Sequence, residues 1–118
     1  GITLYESLKA AELLAGDGID ARVIDVYSVK PIDGETLQRA AEETQGIVTV
    51  EDHWAEGGLG DAVLDALAEL ESRPPVVKLA VREMPHSGKP AELLAAAGID
   101  AEHIADAARR LVRERATA

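Results

Sequence analysis

Ile47-Val48-Thr49-Val50-Glu51-Asp52-His53-Trp54 runs into Ala55-Glu56-Gly57-Gly58-Leu59-Gly60, and the reading of this stretch decides the fold. Four β-branched residues in a row at 47–50 predict a strand covered on both faces, because a half-exposed strand would alternate apolar with polar. The glycines end it. Val63, Leu67 and Leu70 then recur at helical spacing. A strand, a glycine turn and a helix in that order form one unit of an α/β sheet.

Downstream, Pro74-Pro75 makes a rigid connector into a second apolar run at 76–81, followed by a polar loop over 82–89. Pro90 suits the first turn of a short helix that Gly98 stops, and Asp100 caps a last helix with Ile104, Ala108, Leu111 and Val112 inward. Upstream, Thr3-Leu4-Tyr5-Glu6 has the form of a capping box, and Leu4, Leu8, Ala11 and Leu14 share one helical face. Gly16-Asp17-Gly18 ends that helix. Val23, Ile24 and Val26 predict another buried strand over 22–27, which Lys30-Pro31 breaks. Asp33 caps a helix carrying Leu37, Ala40, Ala41 and Thr44 down to Gly46.

The pattern predicts a three-layer α/β/α fold with a mostly parallel sheet, in a single domain over 1–118 with a frayed tail over 113–118. Its count is uneven, with five helices against three strands, and the first helix has an apolar face that needs a sheet. A further strand ahead of Gly1 is therefore expected, and the chain reads as a module of something longer. Residues 11–21 and 91–101 echo each other: Ala-Glu-Leu-Leu-Ala followed by Gly-Ile-Asp-Ala in the same register. The first copy leads into a strand and the second into a helix. A repeated stop signal explains this, with Gly in a left-handed cap and Ile packing back on the helix.

Composition narrows the function. Twelve Lys+Arg against 22 Asp+Glu give a net charge of −10, which argues against nucleic acid, since phosphate binding requires a basic face. With no cysteine there is no disulfide framework, Cys-based zinc site or thiol nucleophile. No apolar run approaches the ~20 residues of a membrane span, and no signal peptide opens the chain, so the expected compartment is the cytosol.

Four motifs have residue types that could carry chemistry. Gly16-Asp17-Gly18 matches the opening of a thiamine diphosphate and magnesium motif, but the chain has no Asn to supply the second side-chain ligand. Gly57-Gly58-Leu59-Gly60 stands where a dinucleotide site would, yet the sixth position from Gly58 is Val63, and Glu56 and Asp61 would repel a phosphate. Ser87-Gly88-Lys89-Pro90 lacks both the leading Gly and the trailing Ser or Thr of a P-loop. Glu51, Asp52, His53, Trp54 and Glu56 end a strand, where α/β sheets place sites, but no second His stands at ligand spacing. This loop reads as an acidic interface anchored by the chain's one Trp, with Gly57, Gly58 and Gly60 permitting close backbone approach. The arginines at 109, 110, 113 and 115 complement a helix C-terminus.

Gly1-Ile2-Thr3-Leu4, Arg22-Val23-Ile24-Asp25 with Val29-Lys30-Pro31-Ile32-Asp33, Val50-Glu51-Asp52-His53 with Gly57 to Gly60, and Ser87-Gly88-Lys89-Pro90-Ala91-Glu92-Leu93-Leu94 resemble, in that order, the C-terminal domain of transketolase. The resemblance covers residues 1–112 or so. It implies a mixed five-stranded sheet whose central first strand precedes Gly1. It also implies a parent enzyme that transfers ketol units between sugar phosphates of the pentose phosphate pathway, using thiamine diphosphate and a divalent cation, Mg. The cofactor and substrate residues then lie upstream, so this chain carries no catalytic, cofactor-binding or metal residue and is inactive alone. Its implied partners are the remaining domains and a second subunit of a homodimer, not nucleic acid or a membrane. The alternative is the equivalent domain of a 2-oxo-acid dehydrogenase β subunit or deoxyxylulose-phosphate synthase, acting as a partner-docking module.

Overall fold

The computed structural model describes residues 2–26, 33–54, 58–81, 95 and 98–117. Its elements run α1 (Ile2–Gly16), α2 (Gly34–Glu43), β1 (Ile47–Trp54), α3 (Leu59–Leu67), β2 (Val76–Val81) and α4 (Ala101–Thr117). β1 and β2 pair in parallel, with Ile47 opposite Val76 and Val50 opposite Leu79. Parallel pairing requires a crossover, and α3 supplies it. Side chains alternate across the sheet. Val50 and Leu79 pack against a core of Ala10, Leu14, Ile104 and Ala105 from α1 and α4. Ile47 and Val76 face the other way, against Leu37, Ala41, Val63 and Leu67 from α2 and α3. The result is helix, sheet, helix, as expected.

Local signals place most boundaries. Asp33 accepts from the Thr36 backbone N–H at 3.1 Å and from its hydroxyl at 2.7 Å, opening α2. These two bonds hold the Asp33 carboxyl below its ordinary range. Asp100 accepts from the His103 backbone N–H at 3.0 Å and from its ring Nδ1 at 2.5 Å. Partial burial pushes the Asp100 carboxyl up, but the bonds from His103 outweigh it and the net shift is downward. At the end of α1, Ile19 N–H donates to Leu14 O and Gly18 N–H to Ala15 O, the paired bonds of a Schellman cap. Gly18 and Gly98 both have positive φ, at 77° and 75°, and Ile99 is 2% exposed, so the repeated Gly-Ile is a repeated stop.

α4 runs through Thr117, with Arg115 in its last turn complementing the dipole. Two expectations need correction. The capping box at Thr3 and Glu6 does not form: α1 already includes Ile2, so Thr3 lies inside the first turn and its carbonyl accepts from Ser7 Oγ. The strand expected over 22–27 is not one within its described part, since residues 22–26 join no sheet. A strand exists only as a rung of a ladder, and here Arg22 is tied instead to Glu43 beside α2, at 2.7 Å. The loop at 82–89, the helix from Pro90 apart from its end, and Tyr27 lie outside the described residues.

Between residues 19–26 and β1 lies a cavity of about 1060 Å³, in the plane of the sheet.

The helix stop yields a paired prediction. Gly16 is helical and a Cβ there meets nothing within 4 Å, whereas Gly18 has φ +77°. Gly16→Ala should stabilise by ~0.5–1 kcal/mol through backbone entropy. Gly18→Ala should cost ~1–2 kcal/mol through left-handed strain. Denaturant unfolding of both variants measures this, and shifts of the same sign would contradict the cap.

Candidate functional site

β1 ends where the sequence concentrates its acidic and aromatic residues, and the described residues there turn inward. Glu51 stands on the same sheet face as Ile47 and Thr49, toward α3. Only 2% of it is exposed. Its Oε1 accepts from the Leu59 backbone N–H at 2.5 Å and its Oε2 from the Gly60 N–H at 3.0 Å. A helix N-terminus has orphan donors and a partial positive charge, and a buried carboxylate answers both. Gly58, the residue at the cap position, offers no side chain for that purpose. The glutamate of the preceding strand caps the helix instead.

Gly60 fixes how closely α3 lies on the sheet. A Cβ there would overlap the Lys78 side chain and stand 3.1 Å from Thr49 Oγ1. Lys78 Nζ, reaching past this point, pairs with Asp61 in the first turn of α3 at 2.6 Å. The glycine is thus a contact point between helix and sheet. Thr49 Oγ1 is buried with no hydrogen-bond partner among the described residues.

Of the other interface candidates, Asp52, His53 and Trp54 form the last three positions of β1, with Trp54 opposite Val81. From Val50 to Trp54 the register slips: four steps along β1 match two along β2, which marks a bulge. Glu56 and Gly57 lie outside the described residues, as do His86 and Ser87-Gly88-Lys89-Pro90. Gly58 and Gly60 are buried. The structure therefore brings Glu51 together with Gly60 but places Glu51 in the interior, away from the solvated loop expected for it.

The Gly16-Asp17-Gly18 triplet is used structurally. Asp17 accepts from Arg109 Nε at 2.6 Å, joining the end of α1 to α4, and Asp106 accepts from Arg109 Nη1 at 2.8 Å. The bond to Asp17 first, then that to Asp106, hold the Arg109 guanidinium above its ordinary pKa. Among the described residues no group of three or more His, Asp or Glu is placed to hold a metal ion. One contact escaped sequence reasoning entirely. Glu6, 7% exposed, accepts from the Ala101 backbone N–H at 3.0 Å, so a residue of α1 caps α4 across 95 positions of chain.

The orphaned hydroxyl gives a prediction for this region. Thr49→Val keeps the shape and removes a buried polar atom that makes no bond, so it should leave stability unchanged or raise it by up to ~1 kcal/mol. Thermal and urea unfolding measure it, and a loss above ~1 kcal/mol would show that the hydroxyl is satisfied.

The geometry meets its relatives at this point. The family model described as "Transketolase, C-terminal domain" matches residues 1–104. Human transketolase is 49% identical over 113 residues, covering 95% of this chain and 18% of its own length. Mouse transketolase-like protein 2 is 49% identical over 115 residues, with the same coverage of both chains. Among solved structures, a chain described as "Split gene transketolase, inactive beta4 tetramer" superposes with a TM-score of 0.87 at 39% identity, covering 96% of this chain and 37% of that one. The chain thus spans about a fifth of the length of these curated relatives, and by sequence and fold together it belongs to the transketolase C-terminal domain family.

Proposed function

We propose that this chain serves as the C-terminal accessory domain of a transketolase, which moves ketol units between sugar phosphates of the pentose phosphate pathway in the cytosol. It supports domain packing and dimerisation and supplies no catalytic group. The observation that carries this reading is the use made of the polar residues of the candidate motifs and their neighbours. Glu51 of β1 binds the backbone of α3, Lys78 of β2 binds Asp61 of α3, and Asp17 at the end of α1 binds Arg109 of α4. Their polar atoms are engaged in holding elements together.

Thiamine diphosphate, the cofactor of the parent enzyme, does not fit the described residues. A diphosphate at the N-terminus of α3 would compete with the Glu51 carboxylate for the Leu59 and Gly60 N–H groups, and charge repulsion opposes it. Asp17 is committed to Arg109, and the chain has no Asn to complete a magnesium shell with it. No chemical step is therefore assigned to this chain. The cofactor belongs to the remaining domains, which are the partners in this reading.

The test uses the full-length enzyme that carries this domain. Trp54→Ala and Gly58→Val should weaken dimerisation or lower thermal stability while turnover per intact dimer stays within about threefold of the parent, as expected when no transition-state contact is lost. Sedimentation and steady-state kinetics with saturating cofactor separate the two. A large fall in turnover from an intact dimer of unchanged stability would mean that this region is catalytic.

A further inference from the structure

β2 is paired on one side. Ile47 N–H donates to Pro75 O, and in the parallel ladder that this bond begins, Pro75, Val77 and Leu79 turn their peptide groups toward β1. Peptide groups alternate along a strand, so the N–H and C=O of Val76, Lys78 and Ala80 point out of the opposite edge. Among the described residues no strand pairs with that edge. Such a row is a template for another chain, and proteins usually guard it with a charged side chain, a proline or a bulge. Here the strand's one charged side chain is turned away from the edge: Lys78 Nζ reaches Asp61 of α3 at 2.6 Å. Pro74 and Pro75 precede the strand and leave Val76 to Ala80 unguarded.

A groove of about 350 Å³ runs between this strand and α4. Half-buried Val77 and Leu79 form its floor, and Ala107 and Leu111 belong to its α4 wall. Leu111 lies against Gly46, just ahead of β1, whereas Ile104 and Ala105 share a cluster with Leu79. α4 is therefore antiparallel to β2 and places Arg110 toward the Val77 end of the groove. Four charged side chains of α4 border it. His103 is bonded to Asp100, Asp106 is bonded to Arg109, and Glu114 has a partner of its own. Arg110 is exposed and makes no hydrogen bond or ion pair among the described residues. The uncommitted charge of the groove is thus a guanidinium, in a chain of net charge −10.

We propose that the outer edge of β2 and this groove form a docking site for an extended, acidic peptide segment of a partner protein, which adds a strand to the sheet. The outward N–H and C=O groups select an extended backbone, since only a strand can meet them in sequence. A strand laid beside β2 turns alternate side chains to the α4 face, and Val77 and Leu79 favour apolar ones there. A carboxylate in the same set meets Arg110, whose planar fork suits it. A second copy of this chain fits less well. Pairing β2 with β2 about its centre sets Lys78 opposite Lys78, and like charges directly opposite destabilise a sheet. The two copies also repel through their net charge. The site goes beyond the accessory-domain reading, because it uses an edge to which that reading assigns nothing.

The test uses the full-length enzyme that carries this domain and three fluorescein-labelled heptapeptides. Thr-Val-Thr-Glu-Thr-Val-Thr carries Val, Glu and Val on one face and reads alike in both directions. The second peptide has Lys in place of Glu, and the third has Pro on both sides of the Glu. By fluorescence anisotropy the Glu peptide should bind saturably at micromolar concentration, with the Lys and Pro peptides weaker by about tenfold or more. In the Arg110→Glu enzyme the order of the Glu and Lys peptides should reverse. Saturation with the Glu peptide should slow hydrogen exchange at the Val76, Lys78 and Ala80 amides by about tenfold or more and leave the Val77 and Leu79 amides, already in the ladder, nearly unchanged. Equal binding of the Glu and Lys peptides, or an order that Arg110→Glu leaves intact, would overturn the proposal. So would edge amides that the bound peptide fails to protect. Edge amides already protected without peptide would also overturn it: protection that rises with enzyme concentration makes a second copy the occupant, and protection independent of concentration makes it another part of the enzyme.

Discussion

A carboxylate buried at the end of a strand and bonded to the first two backbone N–H groups of the next helix is the constraint on which this domain's geometry turns. Glu51 does three things at once. It satisfies donors that would otherwise be stranded inside the protein, it sets negative charge against the positive end of α3, and it ties the direction of β1 to that of α3. Hydrogen bonds to a charged group are worth ~1.5–3 kcal/mol, so the pair outweighs any surface ion pair in the chain. With α3 held at this angle, Gly60 can touch Thr49 and the Lys78 stem, and Val63 and Leu67 reach the core shared with α2. β2 then follows as the parallel partner of β1.

The same device recurs on the opposite face. Glu6 of α1 takes the Ala101 N–H at the start of α4, and Arg109 of α4 returns to Asp17 at the end of α1. Two helices far apart in sequence are thereby fastened side by side at two points above the sheet, with Ala10, Leu14, Ile104 and Ala105 packed between them. On both faces an acidic side chain from one element caps another. An acidic chain with a net charge of −10 can afford this because its carboxylates are spent on backbone donors as well as on arginine and lysine.

What was legible in the sequence is what near neighbours determine. Asp33 and Asp100 cap the helices that follow them, Gly18-Ile19 and Gly98-Ile99 stop those that precede them, and the β-branched run at 47–50 pairs with the mostly apolar run at 76–81 to form the ladder. What was not legible depends on residues distant in the chain. Nothing in Thr3-Leu4-Tyr5-Glu6 reveals that Glu6 is aimed at Ala101, so the local capping box was the natural expectation. Glu51 reads as one carboxylate of an acidic loop, and only the fold brings the Leu59 and Gly60 amides to it. Residues 22–26 have strand composition, but composition cannot supply the neighbouring strand that would make them one.

The central claim is that Glu51 is the structural tie between sheet and helix. Its most direct test is denaturant unfolding of Glu51→Ala and Glu51→Gln combined with hydrogen exchange at the Leu59 and Gly60 amides. The account predicts a loss of ~2–4 kcal/mol for Glu51→Ala, a smaller loss for the amide that retains one acceptor, and faster exchange at both positions in the alanine variant. A Glu51→Ala protein within ~0.5 kcal/mol of the parent, with both amides still protected, would contradict it.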